Sequence, residues 1–123
     1  MLVKIAPDLE WDAIEEILAI AEEHKLAGII ATNTTIDHSS VAERHRQQGG
    51  LSGAPLRERA TEIVRFIAKQ SKLPVVAAGG IMNVDAALEK LDAGAALVQL
   101  YTGYIYEGPG LIGEINRALL QRG

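Results

Sequence analysis

A short apolar run followed by a segment of helical period occurs four times in 123 residues. The runs are Leu2-Val3-Lys4-Ile5-Ala6 (closed by Pro7), Gly28-Ile29-Ile30-Ala31-Thr32, Pro74-Val75-Val76-Ala77-Ala78 and Ala96-Leu97-Val98-Gln99-Leu100. Each is nearly continuous in apolar character, the pattern of a strand buried on both faces of a parallel sheet. Between and after them, apolar residues recur at spacings of three and four. The sets are Trp11, Ile14, Ile17, Leu18 and Ala21; Leu56, Ala60, Ile63, Val64 and Ile67; Val84, Ala87, Leu88 and Leu91; Leu111, Ile112, Ile115 and Leu119. Each set marks one face of an amphipathic helix.

The punctuation agrees with this division. Asp8 is expected to cap the first helix, and Asn83 the third, with Asp85 in its first turn. Pro55 suits the first turn of the second helix. Gly28 and Gly94 stand where helix ends call for a left-handed residue.

The order βαβαβαβα specifies an α/β fold with a parallel sheet and right-handed crossovers. The repeat averages about 31 residues, the spacing of an eight-unit barrel of about 250 residues. The expectation is therefore a single unit over residues 1–123: four βα units with parallel strands, half of a TIM (β/α)8 barrel. One connection is unusual. The polar loop 33–54 far exceeds the two to six residues common in βα units, so it is expected to be functional or mobile.

Composition narrows the function classes. Apolar residues make up 48% of the chain, enough to bury a core rather than remain disordered. No window approaches the roughly 18 uninterrupted apolar residues of a membrane span, and Met1 runs directly into a strand-like segment bearing Lys4, without a signal-peptide pattern. The chain is expected to be soluble. With no cysteine there is no disulfide, thiolate metal site or cysteine nucleophile. A net charge of −4 argues against nucleic acid as a partner.

In parallel α/β folds, chemistry collects at the C-terminal ends of strands. Lys4 interrupts an apolar strand: on an inward face it needs an anion or electron-rich ligand, and on an edge strand it faces water. Strand two ends in Thr32-Asn33-Thr34-Thr35, side chains that donate to and accept from a planar polar ligand, or bond their own backbone in a turn. The long loop closes with Gly49-Gly50-Leu51-Ser52-Gly53-Ala54-Pro55-Leu56 before a helix, which suits a phosphate approach or a tight turn. Strand three ends in Ala78-Gly79-Gly80-Ile81 and strand four in Leu100-Tyr101-Thr102-Gly103. The last two strand ends of a barrel often share one phosphate with a short extra helix; Gly80 would offer its N–H and Thr102 its hydroxyl. Elsewhere the polar residues look structural. His24 lies at a helix end, and His38 and His45 lack a carboxylate at metal-ligand spacing. No metal site is expected. The run Glu43-Arg44-His45-Arg46 is a solvated face, Trp11 a helix-to-sheet core contact, and Ser39, Ser40, Ser52 and Ser71 lack a nucleophile context.

Together these motifs resemble the C-terminal half of the class 2, quinone-linked dihydroorotate dehydrogenases. The matching stretches are Val3-Lys4-Ile5-Ala6-Pro7-Asp8-Leu9, Ile30-Ala31-Thr32-Asn33-Thr34-Thr35, the Gly49-to-Leu56 segment, Gly79-Gly80-Ile81, and Leu97-Val98-Gln99-Leu100-Tyr101-Thr102-Gly103 with Tyr106-Glu107-Gly108-Pro109. They occur in the family's order along the whole chain. The resemblance implies an FMN oxidoreductase of pyrimidine biosynthesis that oxidises dihydroorotate to orotate, with quinone as acceptor. It implies that Lys4 lies beside the flavin ring and stabilises negative charge on its reduced form. Thr32 would touch the flavin, Gly53 and Gly80 would contact FMN through the backbone, and Tyr101 and Thr102 would complete the phosphate site. Asn33 and Thr34 would bind the orotate edge.

Only four of the family's eight βα units are matched. The catalytic serine base and the membrane-proximal helices that admit quinone belong to the unmatched part, so no catalytic residue is assigned and the chain alone is expected to be inactive. By resemblance the family associates with membranes, at the cytoplasmic face of the inner membrane in bacteria. A different class of function is a non-catalytic half-barrel assembly module that at most binds FMN or phosphate. A phosphate-binding aldolase or isomerase is a third, disfavoured by the Thr-Asn-Thr-Thr run and by the lack of a second lysine or carboxylate pair at the strand ends. Four helices cover only one sheet face. A homodimer or higher even oligomer is expected to cover the other, through residues alternating from Ile29/Ala31, Val75/Ala77 and Leu97/Gln99 or their neighbours.

Overall fold

A computed structural model describes all of residues 1–123. Strands β1 (Leu2–Ile5), β2 (Gly28–Ala31), β3 (Val75–Ala78) and β4 (Leu97–Gln99) form one parallel sheet in the order β1-β2-β3-β4. The connecting helices are α1 (Trp11–Glu23), α2 (Arg57–Gln70) and α3 (Val84–Asp92); α4 (Thr102–Glu107) and α5 (Gly110–Arg122) follow β4. Sequential parallel strands joined through helices are the repeating unit of a (β/α)8 barrel, as the spacing predicted. The short helix α4 directly after β4 stands where the short extra helix beside a barrel's last strand ends is expected.

Register fixes which side chains share a face. Ile5, Ala31, Ala77 and Val98 form one cross-strand row, and Lys4, Ile30, Val76 and Leu97 the next. Ile5, Ala31 and Ala77 are buried beneath the helices, together with Ile29, Val75, Ile14, Leu18, Ile63, Val64 and Ile67. Truncating a fully buried isoleucine such as Ile63 costs about 2–5 kcal/mol. A second cluster of Ile81, Ala87, Leu111 and Ile115 joins α3 to α5. The open face carries Lys4, Ile30, Val76, Leu97 and Gln99 instead. The expectation for that face is therefore correct for Leu97 and Gln99 and corrected for Ile29/Ala31 and Val75/Ala77, whose neighbours Ile30 and Val76 occupy it. Ile112, placed on the buried stripe of the last helix, is exposed.

Local details also depart from expectation. Helix α1 has Glu10 at its N-cap and no side-chain cap. Asp8 instead accepts from Thr35 Oγ1 and from the Ile36 N–H (3.2 Å), stapling the long loop to the approach of α1. That approach is held by Arg59, which donates to the carbonyls of Pro7 (3.1 Å) and Leu9 (2.9 Å). The Arg59 guanidinium also lies 4.1 Å above the Trp11 ring, which packs on Phe66. Trp11 thus joins helix to helix, not helix to sheet. Asn83 does cap α3, accepting from the Ala86 N–H at 2.9 Å. Pro55 falls in a 3-10 turn, Ala54–Leu56, just before α2.

The left-handed residue ending α1 is Lys25 (φ 53°), not Gly28. A Cβ at Gly28 would overlap the Pro74 carbonyl, so Gly28 serves close strand approach. Gly94 (φ 108°) ends α3 as expected. The 33–54 loop is organised by an antiparallel bridge between Thr35 and Leu51 and by a contact of His38 Nε2 with the Gly49 carbonyl at 2.9 Å.

Candidate functional site

The strand ends converge on one cleft of about 280 Å³. Lys4, Thr32, Asn33, Thr34, Gly53, Gly80, Tyr101 and Thr102 all line it, each residue singled out from the sequence. Parallel strands place every C-terminal end at the same edge of the sheet, so segments far apart in sequence meet there.

Lys4 points its ammonium from the open sheet face. It is exposed and makes no salt bridge. Thr32, one step beyond β2, is buried, and its Oγ1 has no hydrogen-bond partner. A buried hydroxyl left unpaired costs about 1–3 kcal/mol, so this atom is a polar group that fits a partner supplied by a ligand in the cleft. Asn33 and Thr34 are exposed, and Asn33 Oδ1 accepts from the Thr34 N–H at 2.9 Å. That local bond is the turn-forming alternative; the Thr34 hydroxyl and the Asn33 amide nitrogen remain available to the cleft.

The opposite end of the cleft is built from glycines. Gly53 (φ 84°), Gly79 (φ 107°) and Gly80 (φ 72°) adopt conformations that side chains rarely tolerate. A Cβ on Gly53 would stand 3.0 Å from Thr102 Cγ2, and one on Gly80 would overlap the backbone of Arg57. The N–H groups of Gly53, Gly80 and Thr102 donate to no backbone carbonyl. Thr102 opens α4 and donates from Oγ1 to Ser52 Oγ at 3.0 Å. The result is a concave patch of free N–H groups and hydroxyls, suited to the oxygens of a phosphate.

Three features escaped the sequence reading. Gln99 lines the cleft on the open face of β4; a polar residue within an apolar strand was the available signal. Gly103 is buried against the Ile81 carbonyl, which leaves no room for a Cβ and so lets α4 seat on the loop after β3. The third is Lys90, fully buried on α3, with Nζ donating to the Arg57 carbonyl (2.7 Å) and to Thr61 Oγ1 (2.5 Å). Desolvation pushes the Lys90 ammonium down to about 8, against the opposing pull of Glu89. Glu89 also pairs with the Arg57 guanidinium, and that hydrogen bond holds its carboxyl below the usual range.

The sequence model of the family described as dihydroorotate dehydrogenase matches residues 1–122. A dihydroorotate dehydrogenase (quinone) from Christiangramia forsetii is 50% identical over 126 aligned residues, covering 100% of this chain and 37% of the relative. One from a Synechococcus strain is 46% identical, covering 97% and 36%. The crystal structure of ligand-free DHODH from Eimeria tenella superposes with a TM-score of 0.89 at 38% identity, covering 98% of this chain and 34% of that one. The chain thus spans about a third of the length of the relatives it matches.

Proposed function

The chain belongs to the dihydroorotate dehydrogenase family, and from that premise we propose that it supplies the FMN-binding and orotate-facing half of the barrel in an enzyme oxidising dihydroorotate to orotate, with quinone as acceptor. The observation that carries this reading is the pairing, within one cleft, of the unpartnered buried Thr32 hydroxyl with the Gly53–Gly80–Thr102 patch. The first is a polar site for a ring system; the second suits a phosphate. FMN has both at its two ends and supplies the hydride acceptor when bound.

Within this reading Gly53, Gly80, Tyr101 and Thr102 hold the phosphate end and Thr32 contacts the ring. Lys4, an exposed cation without a carboxylate partner, stabilises negative charge developing in a closed site. Asn33 and Thr34 orient the orotate edge. By the family resemblance the serine base belongs to the unmatched half of the barrel, so proton abstraction is assigned to a group outside these residues. The chain by itself then binds but does not turn over. No helix is long and apolar enough to cross a membrane; association with the cytoplasmic face of a bacterial inner membrane belongs to the same reading, since quinones dissolve in the bilayer.

The test is to join the chain to the preceding segment of a matched relative. The product should purify yellow and reduce a quinone with dihydroorotate. A colourless protein that FMN does not reconstitute overturns the reading.

A second reading concerns the chain alone and is favoured by the open sheet face, where Leu97 is 63% exposed and Leu2 45%. It is an assembly module, with a second copy covering that face. A flavin spectrum near 450 nm that survives desalting of the 123-residue chain argues against a purely structural module.

A further inference from the structure

We infer that Lys90 is a positioning residue for the phosphate end of the cleft, acting through the backbone of Arg57. This rests on the FMN reading above. Lys90 does not line the cleft. It lies on α3, fully buried, and spends two of its donors on α2: one on the Arg57 carbonyl and one on Thr61 Oγ1. Thr61 Oγ1 itself donates to the Arg57 carbonyl at 2.8 Å, closing a three-membered ring of hydrogen bonds around that oxygen. Glu89, one residue earlier on α3, holds the guanidinium of the same arginine at 2.5–2.7 Å.

Arg57 is where the two glycine segments of the cleft meet. Gly80 rests directly on the Arg57 backbone, with no room for a Cβ between them. Gly53 is joined to Arg57 by the 3-10 turn Ala54–Leu56, whose Leu56 N–H donates to the Gly53 carbonyl at 3.0 Å. A shift of Arg57 therefore moves both Gly53 and Gly80. Hydrogen bonds from backbone N–H groups to a phosphate weaken steeply with misplacement. Burying an ammonium carries a desolvation cost that an apolar side chain would avoid. At this position the cost accompanies a fixed anchor behind the cleft, the supporting contact that holds a binding constellation in place.

The experiment compares FMN with riboflavin, which lacks the phosphate, by fluorescence titration of the 123-residue chain and its variants. Wild type should prefer FMN. Lys90→Met keeps the stem and removes the donors; it should weaken FMN by about tenfold and riboflavin by less than about twofold. Thr61→Val retains the ammonium while removing its second acceptor and the bond to Arg57, and should weaken FMN about threefold with riboflavin unchanged. Thr61→Val tests the Thr61 arm of the ring and leaves the direct Lys90 bond to the Arg57 carbonyl in place. If Lys90→Met does not fold, Lys90→Gln, a neutral and shorter side chain, replaces it, with the same expected loss. Wild-type chain without a preference for FMN overturns the phosphate reading. A wild-type preference that a folded Lys90→Met or Lys90→Gln leaves unchanged overturns the role of Lys90 alone.

Discussion

Thr102 Oγ1 donates to Ser52 Oγ at 3.0 Å across a separation of 50 residues, tying the close of the long β2–α2 loop to the end of β4. The bond orients the Thr102 hydroxyl beside the Gly53 backbone, so the two segments form one surface. With a phosphate bound the Thr102 proton would turn to a phosphate oxygen and Ser52 Oγ would donate back to Thr102 Oγ1, so Thr102→Val should weaken FMN binding about tenfold by removing that donor. Ser52→Ala removes only the tether and should cost less than Thr102→Val. Fluorescence titration gives both; equal losses would show that the tether, and not the hydroxyl, is what binding requires.

Gly80→Ala should be the most disruptive single methyl in the site. At φ 72° alanine is strained by about 1–3 kcal/mol, and its Cβ has no space against the Arg57 backbone. Urea unfolding of the chain should show an unfolding free energy lower by at least that amount, with FMN preference lost. A variant as stable as wild type would mean that the loop after β3 stands clear of α2.

Lys4→Ala should separate function from stability. Lys4 is exposed and unpaired, so the unfolding free energy should change by less than about 0.5 kcal/mol. In the protein completed with the preceding segment of a relative, the flavin reduction potential should fall, since the cation favours the reduced, more negative form. An unchanged potential would remove Lys4 from the proposed role.

Much of this was legible because glycines and polar runs interrupt apolar strands at their ends, and parallel topology brings those ends together. The face each strand residue occupies was not legible. Ile29, Ile30, Val75 and Val76 belong to continuous apolar runs without alternation, so parity is set by where α1 and α2 dock. Lys90 was hidden for a different reason. It follows Ala86 and Ala87 at helical spacing on the buried side of α3, yet a lysine reads as a solvated break in such a stripe until its two acceptors on α2 are seen. Asp8 looked like a cap from its distance to α1, and only the long loop folding back brings Thr35 to compete for it.

Lys90 also predicts a pH dependence. Its folded pKa is lowered to about 8, while the unfolded side chain remains protonated to 10.5. Between those values the unfolded chain holds more protons, so this group's contribution makes stability rise with pH through that window. Below about 8 both states are protonated and the desolvation cost is fully present. Thermal unfolding at pH 7, 8.5 and 10 should show wild type gaining relative to Lys90→Met as pH increases. A difference between the two that stays flat across this range would mean that Lys90 is less desolvated than its burial indicates.

The open sheet face makes the last prediction. Parallel sheets are almost always covered on both faces. Here the helices cover one, leaving Ile30 and Val76 half-buried and Leu97 63% exposed on the other. The outer edges of β1 and β4 also carry unpaired backbone groups, because the order β1-β2-β3-β4 leaves each with one neighbour. For the 123-residue chain alone, a two-fold dimer or a higher even oligomer removes both exposures at once. Leu97 is the residue to change, since it is exposed in the monomer and its loss leaves the helix-covered core untouched. Sedimentation velocity at micromolar concentration should give an even oligomer for wild type, and Leu97→Lys should shift it toward 13.2 kDa monomer with the helical circular dichroism retained. A folded, cooperative wild-type monomer would overturn the assembly, and would mean that water is tolerated on an apolar parallel face. An oligomer indifferent to Leu97→Lys would place the contact on the strand edges instead.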